Sequence, residues 1–366
     1  MNEFVITATR SMKGYASRVV RHLTANPRFT DKAESIDGAE LLGTERFADG
    51  EMEVSIRESV RGKDVVLFAS CARNDAGLGV EEAKAELYHA VDALKRSQAK
   101  EIIVFEPFIS CSRSDRTTRR NSVGLWMHFK ILSSLGVTHI LTYQLHSNKS
   151  VSMLDPAICN IDNIPVLNLL KRYLCDTYIR DIKVLEQEVR PRWAFCSVDA
   201  GGEKSAREFA NAFGAPLVIA HKQRDYGKAN TIESINILSA EPVEGKILWI
   251  VDDMIDTASS VESLIRALAP LNPREINIIA PHAIFSPPAS ERLNRLADEK
   301  LLNRIIVADT VSAAALSGVI PRMDIVPSAE LSAAIVRILV LNESLSKYML
   351  PFNAEKYLKS RGLFNA

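Results

Sequence analysis

The stretch Lys246–Leu264, KILWIVDDMIDTASSVESL, runs from apolar residues straight into three carboxylates and then into small hydroxyl residues. Asp252 and Asp253 are adjacent, so together they can accept hydrogen bonds from two neighbouring hydroxyls. Thr257, Ser259 and Ser260 add hydroxyl donors where a helix is about to start. A helix start exposes unpaired backbone N–H groups and the positive end of the helix dipole, which suits a phosphate. Carboxylates repel a phosphate, so the aspartates need a different part of the same ligand. A molecule with a diol and a phosphate satisfies both demands, and ribose 5-phosphate is one. A lone Asp-Asp pair in a capped, solvated loop would need no ligand. The whole run, in which Asp256 and Thr257 follow the pair, argues for one.

Leu248–Val251 reads as a strand and Ser259 onward as a helix, so the carboxylates stand at a strand's carboxyl end, where open parallel sheets bind ligands. The rest of the chain repeats this alternation. Short Val- and Ile-rich runs predict strands over Phe4–Thr7, Val65–Ala69, Glu101–Phe105, His139–Tyr143, Trp193–Ser197, Pro216–Ala220, Ile247–Val251, Glu275–Ala280 and Ile305–Ala308. Amphipathic stretches between them predict helices over Tyr15–Leu23, Val80–Ser97, Val123–Leu135, Gly202–Ala212, Ser259–Leu268 and Pro288–Ala297. Continuous apolarity over a short run is the mark of strands covered on both faces. The pattern therefore predicts an α/β chain in two similar domains, 1–165 and 166–325, each a mostly parallel sheet flanked by helices. A helical extension is expected over 326–366, with Leu331, Ile335, Ile338 and Leu339 on one packed face.

Hydrophobic residues make up 47% of the 366 residues, enough for two cores. Lys plus Arg and Asp plus Glu balance at 45 each, so no net charge draws the chain to nucleic acid or to a membrane surface. Any anion recognition must be local. The five cysteines (Cys71, Cys111, Cys159, Cys175 and Cys196) form no CxxC pair and fit reduced thiols in a cytoplasm. The opening MNEFVITATRSMKGYA has too short an apolar run for a signal peptide, and no later segment predicts a membrane span.

Ile250–Val261 resembles the phosphoribosyl-diphosphate-binding signature shared by type I phosphoribosyltransferases and ribose-phosphate diphosphokinases. That signature usually carries Gly where this chain has Ser259, and Gly is the residue that readily takes positive φ. Five further segments resemble the diphosphokinases in particular. Phe47-Ala48-Asp49-Gly50-Glu51 resembles their adenine loop, which serves a neighbouring subunit. Pro107–Arg116, PFISCSRSDR, resembles the Tyr-x-Arg-Gln-Asp-Arg-Lys segment, with Ser114 in place of Gln and Thr117 in place of Lys. Leu141–His146 resembles the segment ending in Met-Asp-Leu-His, with Gln144 in place of Asp. Ser197-Val198-Asp199-Ala200-Gly201-Gly202 and His221-Lys222-Gln223-Arg224 resemble the ribose turn and the start of a long polar catalytic loop, Lys222–Asn230.

The resemblance spans about Phe47 to Ser328 and implies two phosphoribosyltransferase-like domains. It implies transfer of the β,γ-diphosphoryl group of ATP to the C1 hydroxyl of ribose 5-phosphate, giving 5-phosphoribosyl 1-diphosphate and AMP. It assigns Lys222, Arg224 and His146 to catalysis. ATP would meet Phe47, Asp49, Glu51, Arg113, Ser114, Asp115, Arg116 and His146. Ribose 5-phosphate would meet Asp199, Asp252, Asp253, Asp256, Thr257, Ala258, Ser259 and Ser260. Mg²⁺ would be held through His146, Asp199, Asp155 and Asp162. The implied assembly is a cytoplasmic homo-oligomer built on dimers, up to a hexamer, with no nucleic-acid or membrane partner. Two other readings share some of these motifs: a catalytically weak regulatory homologue bound to an active synthetase, and a phosphoribosyltransferase. The segment after Arg116, TTRRNSVGLW, lacks the family's usual regulatory run, so no control by phosphate or ADP is implied.

Overall fold

Valine, isoleucine and phenylalanine runs that alternate faces form two mostly parallel sheets. The computed structural model describes residues 3–72, 74, 76–117, 120–199, 201–224, 232–311 and 322–364. The chain divides into two units: Met1–Pro165 with Thr310–Ser312 and Pro327–Met349, and Val166–Asp309 with Ala313–Val326 and Leu350–Ala366.

The first unit contains β1 (Phe4–Ala8), β2 (Leu42–Arg46), β3 (Met52–Ile56), β4 (Asp64–Phe68), β5 (Glu101–Glu106), β6 (His139–Tyr143) and β7 (Asn160–Ile164). Its five-stranded sheet has the order β1-β4-β5-β6-β7, and every neighbouring pair is parallel. Strand periodicity divides the side chains between two cores. Val65, Leu67, Val104 and Ile140 pack with Leu87 and Val91 of helix Val80–Arg96 and with Leu125, Phe129 and Leu132 of helix Gly124–Leu135. On the other face Phe68 stacks on Phe105 with ring centroids 4.9 Å apart, and Phe105 meets Tyr143 edge to face at 5.3 Å. Helix Lys13–Thr24 meets helix Ala329–Val340 there. Tyr15 hydroxyl bonds both Ser328 and Ser332 at 2.7 Å, and Tyr143 hydroxyl bonds Ser332 at 2.7 Å. These groups are buried, so each hydrogen bond offsets a desolvation cost of about 1–3 kcal/mol.

The second unit contains β8 (Trp193–Ser197), β9 (Leu217–Arg224), β10 (Ile232–Ser239), β11 (Ile247–Val251), β12 (Met254–Ile255), β13 (Glu275–Ala283), β14 (Arg304–Ala308) and β15 (Met323–Val326). The sheet order is β10-β9-β8-β11-β13-β14-β15, with β12 added beside β13. β10 is antiparallel to β9 and the other pairs are parallel. One face, carrying Ala194, Cys196, Leu248, Ile250, Ile278 and Val307, packs under helices Ser259–Leu268 and Ala289–Asp298. The opposite face, with Phe195, Trp249, Val251 and Ile306, packs against helices Leu167–Leu174, Glu203–Phe213 and Ala354–Phe364. Phe195 is fully buried between Phe209 and Phe213, each 5.4 Å away, and such a side chain contributes about 1.5–3 kcal/mol.

The stretch expected as one helical extension is divided between the units. Helix Ala329–Val340 belongs to the first, and helix Ala354–Phe364 to the second. Of its expected packed face, Ile335 and Ile338 are fully buried, whereas Leu331 and Leu339 are half-buried.

Candidate active site

In the second unit, the chain leaves β8 toward β9 on one side of the sheet, whereas β11 lies on the other side of β8. The strand order reverses there, and the loops after β8 and β11 diverge at their carboxyl ends, which is where open parallel sheets leave a crevice. Asp199 follows β8 and Asp252 follows β11, and β8 and β11 run side by side with Ser197 opposite Val251. The topology thus brings together two loops that are about 50 residues apart in sequence.

Asp199 Oδ1 accepts the backbone N–H of Gly201 at 2.9 Å and of Gly202 at 3.1 Å, which fixes the turn into helix Glu203–Phe213. A Cβ on Gly201 would sit 3.2 Å from that same Oδ1, so the tight turn favours a residue without one. Asp252 donates its N–H to Ile279 carbonyl at 3.0 Å, and its Oδ1 accepts Asp253 N–H at 2.9 Å. Burial raises the Asp252 carboxyl well above the ordinary range, and the charges of Asp253 and Asp199 push it further. The adjacent Asp252–Asp253 pair, with Asp199 near enough for its charge to act on Asp252, makes an acidic rim that calls for a cation or for hydroxyl donors. They are hard oxygen donors of the kind Mg²⁺ takes one or two at a time with phosphates and water, so this set fits that ion.

Beyond the carboxylates, β12 pins the loop by pairing Met254 and Ile255 with His282 and Ala283 at the end of β13. Asp256 and Thr257 are half-buried, Ala258 is buried, and Ser259 and Ser260 are exposed at the start of helix Ser259–Leu268. Ala258 caps this helix at φ 58 and ψ 9, in the left-handed region. The positive φ that the usual Gly would suggest for Ser259 therefore falls one residue earlier, and Ser259 begins the helix without such strain. A left-handed residue before a helix turns successive N–H groups to one side, forming an anion-binding concavity.

Lys222 and Arg224 were expected on a loop. Their backbone instead continues β9, opposite Ile235 and Ile232 of β10. The side chains of 222–224 and the whole of 225–231 lie outside the described residues.

In the first unit, the Arg113–Arg116 loop follows β5 and His146 follows β6, so two parallel neighbours deliver them to the same end of the sheet. Arg113, Arg116 and His146 are exposed, and Asp115 is half-buried. Ser114 is committed to the helix that follows: its Oγ accepts Gly124 N–H at 2.9 Å and its carbonyl accepts Leu125 N–H at 3.1 Å. Gln144 takes φ 42, and Asn163 Oδ1 holds the next amide, that of Leu145, at 2.9 Å. The β2–β3 turn presents Phe47, which is 47% exposed; Gly50 there adopts φ 96, and Asp49 Oδ1 accepts Glu51 N–H at 3.1 Å. Thr44 of the hairpin is tied to buried Glu86 at 3.1 Å, which Arg10 also grips at 3.1 Å.

Two residues assigned to Mg²⁺ by resemblance are engaged otherwise. Asp162 Oδ2 bonds His139 Nε2 at 2.8 Å, and Asp155 Oδ1 caps its own turn through Ala157 N–H at 2.9 Å. Among the described residues no three His, Cys, Asp or Glu side chains converge on a metal position.

Against known proteins, a family model for the N-terminal domain of ribose phosphate pyrophosphokinase matches residues 4–136, and a phosphoribosyl transferase domain model matches 182–312. A ribose-phosphate pyrophosphokinase of Fusobacterium nucleatum is 32% identical over 73% of this chain and 77% of its own. The chain belongs to the ribose-phosphate pyrophosphokinase family. A second relative of that name, from Porphyromonas gingivalis, is 33% identical over 74% of this chain and 78% of its own. The fold likeness extends further: phosphoribosylpyrophosphate synthetase from Mycobacterium smegmatis superposes with a TM-score of 0.76 at 24% identity, over 93% of this chain and 99% of that one. The chain is thus a pyrophosphokinase-family member with two phosphoribosyltransferase-like domains.

For this pyrophosphokinase relative, sequence reasoning missed the groups that hold the phosphate-side loop from behind. Arg292 Nη1 donates to Thr257 carbonyl at 2.9 Å, and Glu262 Oε2 takes Arg292 Nε at 3.3 Å. Both sit on amphipathic helices where a charged residue reads as solvated surface. The helical spacing of Glu262 and Arg266 is a signal for a pair, but nothing in the sequence joins Arg292 to Thr257.

Proposed function

We propose that this protein transfers the β,γ-diphosphoryl group of ATP to the C1 hydroxyl of ribose 5-phosphate. The observation that supports the reading best is the pairing of the Asp252–Asp253 rim with the left-handed Ala258 turn at the point where the second sheet reverses. The rim suits a ribose diol and the turn suits a phosphate, with ribose between them.

The C1 oxygen attacks the β-phosphorus of ATP. A C1–O–P bond forms, the bond from the β-phosphorus to the α,β-bridging oxygen breaks, AMP leaves, and the proton of the C1 hydroxyl passes to solvent. Such transfers depend on positioning and charge neutralisation more than on covalent chemistry. Asp252 and Asp253 accept from the ribose hydroxyls and orient C1. The amides and hydroxyls of Thr257, Ala258, Ser259 and Ser260 hold the 5-phosphate, and Asp256 borders them. Asp199 keeps one carboxylate oxygen for the sugar or a cation. In the first unit Arg113 and Arg116 bind ATP phosphates as planar guanidinium forks, with Asp115 and His146 beside them. Ser114 supports that loop through its helix cap. Phe47 stacks on adenine while Asp49 and Glu51 accept from its amino group. Lys222 and Arg224 neutralise charge on the transferring group. Asp199 and the Asp252–Asp253 rim would hold Mg²⁺, which would supply charge neutralisation.

The Phe47–Glu51 turn acts for a neighbouring copy in a cytoplasmic, dimer-based oligomer. A catalytically competent monomer in light scattering contradicts that assembly. No helix among the described residues is long and apolar enough to cross a membrane. Purified protein given ribose 5-phosphate, ATP and Mg²⁺ is expected to release AMP in step with phosphoribosyl diphosphate. Absence of AMP, with pyrophosphate released from phosphoribosyl diphosphate and a nucleobase instead, refutes the reading in favour of a transferase.

A further inference from the structure

Thr257 precedes the cap of helix Ser259–Leu268, so its carbonyl has no partner within that helix. The first helical bond goes one residue on, from Glu262 N–H to Ala258 carbonyl at 2.9 Å. Arg292 of helix Ala289–Asp298 supplies what the helix cannot, donating Nη1 to Thr257 carbonyl at 2.9 Å. Its Nε rests on Glu262 Oε2 at 3.3 Å. Glu262 therefore holds the turn twice, through its amide on Ala258 and through its carboxylate on the arginine that grips Thr257. Its other oxygen, Oε1, takes Arg295 Nη2 at 2.8 Å and Arg266 Nη2 at 3.3 Å, and Arg266 continues to Glu299 at 2.8 Å.

In a trans peptide the carbonyl and the next N–H point in opposite directions. Drawing Thr257 carbonyl toward Arg292 therefore turns the Ala258 N–H away from helix Ala289–Asp298. Ala258 bears the cost of a left-handed conformation for a residue with a Cβ, so the turn needs support from outside the helix. We propose that Arg292 is a positioning residue for the sugar phosphate: it orients the Ala258 amide that receives the phosphate, and Glu262 keys it in place. This rests on the ribose 5-phosphate reading given above.

Arg295 separates the clamp from ordinary helix bracing. Its guanidinium bonds Glu262 rather than the turn, so Arg295→Ala weakens the same helix pair and leaves the turn alone. Hydrogen–deuterium exchange on peptides spanning 252–262, without ligand, reads the clamp directly. Exchange is expected to quicken in Arg292→Ala and to stay at wild-type rates in Arg295→Ala. Calorimetry with ribose 5-phosphate reads the consequence: binding about tenfold weaker in Arg292→Ala, partly recovered in Arg292→Lys, and within twofold of wild type in Arg295→Ala. Arg292→Lys keeps a donor for the carbonyl and serves if Arg292→Ala does not fold. Equal exchange in the two alanine variants, or equal affinity in Arg292→Ala and wild type, overturns the clamp. A clamp seen by exchange in a wild-type protein that takes up no ribose 5-phosphate overturns the ligand instead.

Discussion

The two units share a core of five parallel strands and differ most in what is added to it. In the first, β1-β4-β5-β6-β7 step in a single direction from one edge to the other. In the second, β8-β11-β13-β14-β15 do the same, but β9 and β10 are laid on the far side of β8. That addition turns an edge strand into a central one and creates the reversal at which Asp199 and Asp252 meet. The same stretch of the first unit, between β1 and β4, goes into helices Lys13–Thr24 and Ala33–Ile36 and a separate hairpin that presents Phe47. One sheet therefore reverses its strand order, and the other offers loops and a hairpin turn along its end. The lesson is that a shared core does not imply a shared site, because open parallel sheets bind ligands where the strand order reverses.

If the added strands carry chemistry as well as the crevice, the largest effects lie there. Lys222→Ala and Arg224→Ala should each lower kcat about 10²–10³-fold, the range for removing a preorganised charge donor. Steady-state turnover at the wild-type rate in either variant breaks the comparison. Next come losses specific to one unit. Asp252→Asn should raise KM for ribose 5-phosphate about 10–100-fold, since a hydrogen bond to a charged group is worth about 1.5–3 kcal/mol, and should spare KM for ATP. Arg116→Ala should do the reverse. Equal shifts in both constants for either variant would mean that the substrates are not divided between the units. Tyr143→Phe removes a buried bond to Ser332 in the first unit, so denaturant unfolding should show a loss of about 1 kcal/mol with KM for ribose 5-phosphate unchanged.

The smallest effect concerns pH. Burial works to raise Glu262, but hydrogen bonds from Arg295 and Arg266 outweigh it and hold the carboxyl below its ordinary value of 4.5. A carboxyl depressed by folding stabilises fully above its unfolded pKa, and that contribution is lost as pH falls through the folded one. Thermal stability should therefore decline below about pH 4.5, and Glu262→Gln should flatten the decline. An unchanged slope in that variant would remove Glu262 from the explanation.

Strands covered on both faces were legible because such a strand must be apolar throughout. His139–Tyr143, Trp193–Ser197 and Ile247–Val251 have the bounds their residues predict. The strands not anticipated are of a different kind. β7 (NIDNI), β10 and β15 lie at sheet edges, where one side needs no apolar cover, and β2 and β3 form a hairpin outside the main sheets. The reversal itself depends on β9 lying beside β8, a pairing no local pattern reveals. In the site, the carboxylates and the hydroxyl run were legible because their chemistry is unusual at a strand end. Arg292 was not, since its partner is a backbone carbonyl 35 residues away. The strained position was misplaced by one residue, from Ala258 to Ser259, because the left-handed turn precedes the helix start.

The central claim is that the reversal in the second sheet holds a sugar phosphate by both ends. A crystal of the full chain soaked with ribose 5-phosphate tests it most directly. The account predicts the phosphate on the amides of Ala258, Ser259 and Ser260, with the ribose hydroxyls against Asp252 and Asp253. Density for the sugar phosphate elsewhere, with that turn left vacant, would contradict it.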